Sequence, residues 1–235
     1  LIASRSQSSN KNILLYYAQL IEDYDCVMGH YVAQEKYADA LDILRDAPLE
    51  KTEQLLYKCA PILMESEPEK AVEVFLGKGL QDGWEKVQIS KLLPALLRYE
   101  SLYSVSASKG GQRNWALHFL QEVLAEFKQN MQVCEPTLYH TLTWFLCKYD
   151  DSSDEVELCD FLGHLSDCRR DDLLPEGLRL QYIMNQCTRF GRKRALVYAH
   201  QLVDADKEAV DAALKLDLEL AKQVAQSCFN ADKKK

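Results

Sequence analysis

The chain has 235 residues and carries 28 Lys and Arg against 36 Asp and Glu, a formal net charge of −8. That acidic balance argues against a nucleic-acid binder, and 47% hydrophobic residues over this length can bury a sizeable core. Leu (36) and Ala (21) far outnumber Val (13), Ile (7) and Thr (5). The first two lose little side-chain freedom in a helix and the others favour a pleated sheet, so the chain is predicted to be all-α.

In chain order, the apolar spacing predicts helices over 12–21, 23–34, 37–46, 51–65, 67–78, 85–100, 112–130, 136–149, 153–166, 175–190, 192–203, 206–215 and 217–229. Residues 1–10 are Ser-rich and expected to be frayed, 11–229 form the helical array, and 230–235 are expected to be a disordered tail. Pro61 and Pro94 fall inside apolar runs, where the missing N–H is expected to kink a helix or begin one. Ser66 and Glu69 have capping-box spacing with Pro68 in the first turn, and Ser152 and Glu155 have the same spacing. Pro175 suits a helix start and Asp217 can cap the last helix. Residues 103–111 and 150–154 read as irregular. The segments have hairpin length rather than coiled-coil length.

A weak internal repeat places one or two polar residues before an alanine and an apolar stripe. It occurs as YADALDIL at 37–44, EKAVEVFL at 69–76, RNWALHFL at 113–120, KRALVYAH at 193–200 and KEAVDAAL at 207–214. An alanine in a helix–helix contact row lets the neighbouring backbone come close. The spacing is uneven, as from Ala40 to Ala71 and from Ala71 to Ala116, so the prediction is an irregular α-solenoid of antiparallel hairpins rather than a tight tetratricopeptide array.

The catalytic vocabulary is sparse. The sequence has no Walker loop, His-Glu-x-x-His, Gly-x-Ser-x-Gly or Cys-x-x-Cys. GKGLQDG at 77–83 has the wrong glycine spacing for a phosphate cradle and follows a helix rather than a strand. Cys159, His164 and Cys168 sit at i, i+5 and i+9, which on one helix cannot converge on an ion. His30, His118, His140 and His200 lie within helical stripes and read as structural or surface residues, and the acidic pairs Glu22/Asp23 and Asp150/Asp151 suit helix ends. No metal, cofactor or catalytic residue is expected.

Eight cysteines lie mostly inside helical runs, without a secretory signal or an Asn-x-Ser/Thr acceptor, so reduced cytoplasmic thiols are expected. No run approaches the roughly 18 apolar residues of a membrane span, which leaves peripheral association. Leu1 in place of an initiating Met suggests a fragment of a longer protein. One basic cluster, Arg189, Arg192, Lys193 and Arg194 around Gly191, reads first as a turn with cations near a helix C-terminus and second as a candidate protein interface for an acidic partner or anionic lipid. Among the tryptophans, Trp84 has no assigned face, while Trp115 and Trp144 are expected in the core.

The segment EDYDCVMGHYVAQEKYADALDIL at 22–44 resembles the clathrin-heavy-chain-repeat region of the vacuolar protein sorting-associated protein 18 (deep orange, Pep3) family. YKCAPILMES, PEKAVEVFLGKG and SKLLPALLRYE within 57–100, NWALHFLQEVL and EPTLYHTLTWFLCKYD within 114–150, and KEAVDAALKLDLELAKQVA at 207–225 resemble it in the same order. The resemblance implies an α-solenoid scaffold in a class C core subunit of the HOPS and CORVET tethers. It also implies other tether subunits as partners, SNARE machinery indirectly, and a peripheral place on late endosome, lysosome or vacuole membranes. The family's N-terminal β-propeller and C-terminal RING zinc domain have no counterpart in this sequence. The alternatives are a generic helical-repeat adaptor, a vesicle-coat component or an α/α-toroid enzyme. The sequence has no recurring carboxylate clamp for the adaptor and no sign of ring closure for the toroid.

Overall fold

The structure is a computed structural model that describes residues 13–77, 87–106, 113–129, 135–150, 152 and 154–232. Among these residues every regular element is helical. A stretch over 13–20 (α1) is followed by α2 (Tyr24–Ala33), α3 (Tyr37–Asp46), α4 (Leu49–Ser66), α5 (Pro68–Phe75), α6 (Ile89–Ser106) and α7 (Trp115–Gln129). Then come α8 (Pro136–Tyr149), α9 (Val156–Arg170), α10 (Leu180–Arg189), α11 (Lys193–Leu202), α12 (Asp206–Leu214) and α13 (Leu218–Asp232). The chain divides into two compact units, Leu1–Glu122 and Val123–Lys235.

In the first unit each helix packs on its hairpin partner and on the helix two places along: α2 on α3 and α4, α3 on α4 and α5, α4 on α5 and α6. Side-chain ties mark the repeat. Lys70 Nζ reaches the Ala38 carbonyl at 2.9 Å and Asp42 at 2.8 Å, and the Tyr57 hydroxyl accepts from the Gln88 N–H at 2.7 Å. Lys51 pairs with Glu22 and Arg98 with Glu65. These ties join residues 28 to 33 apart. Phe75 and Phe119, both fully buried, meet edge to face with centroids 6.4 Å apart.

In the second unit α8 packs on α9 and α10 and α9 on α11, and α10, α11, α12 and α13 then pack in succession. Its ties from Cys147 to Cys187 and from Glu155 to Ala195 span 40 residues. Val197, Ala209, Ala213, Leu220, Ala221 and Val224 form a core cluster of α11, α12 and α13. The repeat alanines Ala40, Ala71, Ala116, Ala195 and Ala209 are all at 0% exposure, so the small residue does stand in the contact row.

The interhelical turns show how the repeats interlock. After α2, the Glu35 N–H donates to the Val32 carbonyl at 3.1 Å and the Lys36 N–H to the Tyr31 carbonyl at 3.0 Å, a Schellman closure with Glu35 at φ +57°. Glu22, Asp172 and Asp204 occupy the same left-handed position, with φ of 57° or 58°, where glycine would avoid a cost of about 1–2 kcal/mol. Two of these acids have a use for a side chain: Glu22 pairs with Lys51 and Asp204 with Arg169, each in a neighbouring repeat.

Several local expectations are corrected. Neither Pro61 nor Pro94 starts a helix, because α4 and α6 run continuously through them. Ser66 ends α4, and α5 begins with Pro68 and has no side-chain cap, so the Ser66/Glu69 box does not form. Pro175 lies in a turn closed by the Leu178 N–H on its carbonyl at 3.1 Å, and α10 begins only at Leu180. Asp217 does accept from the Glu219 N–H at 3.2 Å at the start of α13, a helix that continues to Asp232 rather than stopping at 229. Trp84 and most of GKGLQDG lie outside the described residues, as do 1–10 and 233–235.

Candidate protein-interaction site

The basic cluster sits on the turn between α10 and α11. Gly191, at φ +68°, closes α10: its N–H donates to the Thr188 carbonyl at 3.2 Å and the Arg192 N–H to the Cys187 carbonyl at 2.8 Å. A Cβ on Gly191 would meet nothing within 4 Å, so the dihedral, not crowding, demands glycine. The four cations then diverge. Arg192 is half-buried and donates from Nε to the Cys147 carbonyl at 2.7 Å, satisfying a carbonyl in the last turn of α8 at the negative end of its dipole. Arg194 reaches Asp154 at 3.3 Å. Arg189 is exposed with its guanidinium 5.7 Å from the Phe190 ring, and Lys193 is exposed at the first position of α11.

Two carboxylates opposite this turn were not legible as partners in the sequence. Asp150 is 4% exposed and accepts from the Ser152 N–H at 3.1 Å and, eight residues on, from the Leu158 N–H at 3.0 Å, capping α9. The Ser152 hydroxyl accepts from the Val156 N–H at 3.0 Å, but Glu155 does not complete the expected box. Glu155 stands at φ +52° and sends its carboxylate to the Ala195 N–H at 2.8 Å, so the residue that begins α9 caps the first turn of α11. Such a contact is long-range and has no local signature to read.

Beneath the turn, Cys147 and Cys187 are fully buried free thiols with sulfurs 4.0 Å apart, and hydrogen bonding to Cys147 and burial push the Cys187 thiol well up. Burial, with Glu155 adding to it, raises Cys159 to about 12. Cys159 turns toward the Asp154 carbonyl, whereas the Cys168 sulfur lies 3.5 Å from His164 Nε2, so the three candidate ligands do not converge. Among the described residues no group of three His, Cys, Asp or Glu is placed to hold a metal ion.

Trp115 and Trp144 are half-buried rather than core, because each ring also carries a cation: Arg113 at 5.2 Å and Lys148 at 5.1 Å. His140 Nε2 accepts the Arg179 N–H at 3.1 Å, and burial followed by the charge of Arg179 lowers its pKa below the ordinary 6.5. A lowered folded-state pKa means that the neutral ring's contribution is present above the unfolded value and lost as pH falls through the folded value. The melting temperature is therefore expected to drop between pH 7.5 and 5, and to drop less in His140→Gln; identical drops would remove His140 as the titrating group.

A family model described as VPS18, alpha-solenoid domain, second half, matches residues 24–235. The chain is 28% identical over 225 residues to the vacuolar protein sorting-associated protein 18 homolog of Danio rerio, covering 96% of this chain and 20% of that protein. It is 25% identical over 208 residues to vacuolar sorting protein 18 of Arabidopsis thaliana, covering 88% of this chain and 19% of that one. The Drosophila melanogaster homolog is 25% identical over 237 positions, covering 96% of this chain and 19% of the homolog. The chain thus spans about a fifth of the length of these curated relatives. Successive packed helices, with buried alanines at Ala40, Ala71, Ala116, Ala195 and Ala209, agree with that match, and the chain belongs to the family of the second half of the VPS18 α-solenoid domain.

Proposed function

We propose that this chain is a structural scaffold segment of an endolysosomal or vacuolar membrane-tethering subunit of the HOPS/CORVET class C core, with an architectural rather than a catalytic role. The observation that carries the reading beyond family membership is the apolar surface of residues 13–21. Ile13, Leu14, Tyr16, Tyr17, Leu20 and Ile21 are all more than half exposed. Contiguous exposed apolar side chains mark interaction surfaces. The partners in this reading are other class C tether subunits, with SNAREs engaged indirectly. Attachment to late endosomes, lysosomes or vacuoles is peripheral through the complex, consistent with no described helix being long and apolar enough to cross a membrane. The exposed basic residues Arg189 and Lys193 belong to the candidate assembly surface, while Arg192 and Arg194 support it from within.

Affinity capture with the tagged chain, read by mass spectrometry, tests this. Recovery of class C tether subunits, reduced by replacing Leu14, Tyr17 and Leu20 with Ser, is expected. Recovery of chaperones alone would favour the adaptor reading, and recovery of coat components alone the coat reading.

A further inference from the structure

A cleft of about 500 Å³ lies along the hairpin of α11 and α12, a volume typical of binding clefts. Its floor is apolar: Leu196 from α11, Ala212 from α12 and Leu216 just beyond α12. The rim is charged with a polarity set by the topology. The two helices are antiparallel across the turn at 203–205, so Lys193, first in α11, and Lys215, immediately after α12, stand at the same end. Glu208, in the first turn of α12, and Asp211 mark the other half. All four are exposed, and among the described residues no ion pair holds any of them. His200, in the last turn of α11, also lines the cleft, and its buried Nδ1 has no hydrogen-bond partner, which is uncommon enough to call for one.

We infer that this groove docks an amphipathic helix of a partner subunit, lying along the hairpin with an acidic first turn against Lys193 and Lys215 and a basic last turn against Glu208 and Asp211. The cleft dimensions, the apolar floor and the charge order each contribute. From Lys193 to His200 the helix advances about 10 Å at 1.5 Å per residue, two turns of an occupant whose apolar residues recur at i, i+3 or i+4, and i+7. Acidic residues at the start of a helix and basic ones at its end are also the arrangement its own dipole favours, so the groove's polarity matches a stable partner helix read in one direction only. Desolvated complementary charges fix register and orientation more than they add affinity, so direction is the property to test. The inference deepens the scaffold reading and rests on it for the nature of the occupant, a protein helix.

The probe is a designed peptide of roughly fourteen residues, long enough to hold some helix in water. Glu occupies its first turn, Leu the apolar stripe and Lys its last turn, and a second peptide carries the same composition with Glu and Lys exchanged. Fluorescence anisotropy against the 235-residue chain is expected to show the first binding at least about tenfold tighter than the second. In the chain carrying Lys193→Glu, Lys215→Glu, Glu208→Lys and Asp211→Lys, all at exposed positions that leave helical circular dichroism unchanged, the preference is expected to invert. Equal binding of both peptides, binding of neither, or a preference that survives the four substitutions would overturn the groove. Any of those results alongside intact capture of tether subunits would leave the scaffold reading standing, whereas loss of capture with peptide polarity retained would remove the scaffold reading instead.

Discussion

Replacing Ala209 with Trp is expected to destabilise the chain by about 1–3 kcal/mol, the cost of forcing extra volume into a packed contact. Ala209 is at 0% exposure within the cluster that Val197, Ala213, Leu220, Ala221 and Val224 complete, so the indole has no solvent-facing escape. The neighbouring Lys207 is exposed, and Lys207→Trp provides the comparison, expected to stay within about 0.5 kcal/mol. Urea midpoints at constant m-value report both changes. Equal midpoints for Ala209→Trp and the unaltered chain would mean that α11, α12 and α13 do not close on that alanine. The same substitution at Ala40, also at 0% exposure, extends the test to the first unit.

Glu155→Ala is expected to cost about 1–3 kcal/mol through a different route, by leaving a buried N–H without its acceptor. The Ala195 N–H lies in the first turn of α11, where no earlier carbonyl of that helix can accept it, and Ala195 itself is fully buried. Glu155→Gln keeps an oxygen in reach and is expected to lose less. Because both variants retain a side chain at φ +52°, the backbone strain is common to them and cancels in the comparison. Hydrogen exchange of the Ala195 amide gives a local readout: faster in Glu155→Ala than in Glu155→Gln. Unchanged exchange in both would show that the inter-repeat cap is not formed in solution.

Among the described residues, helix type, number and most centres followed from the Leu and Ala excess and the apolar spacing, and all five repeat alanines were found by their local pattern. The repeat length stayed obscure because it varies within each unit: ties join residues 28 to 38 apart in the first unit and 26 to 45 apart in the second, so no single period could be read. Helix starts misled wherever a local motif competed with packing. Ser66 had an available glutamate three residues on, yet it is the last residue of α4, and Pro175 suited a first turn but went to a preceding bend.

The candidate interaction surface was half legible. Four clustered cations around Gly191 were visible, but their division into two exposed residues and two that brace α8 and α9 depends on carbonyls and carboxylates about 40 residues away. The groove beside Lys193 was hidden for a related reason. Its acidic wall comes from α12, and only the antiparallel hairpin brings Glu208 to one end and Lys215 to the other.

As proposed above, this chain acts through its exposed faces as an assembly scaffold. Hydrogen–deuterium exchange of the chain alone and within a reconstituted class C tether complex tests it most directly. Added protection is expected at residues 13–21 and along α11 and α12, with the buried contact rows of α4 and α9 unchanged. Identical exchange at both surfaces in the free and assembled states would contradict it.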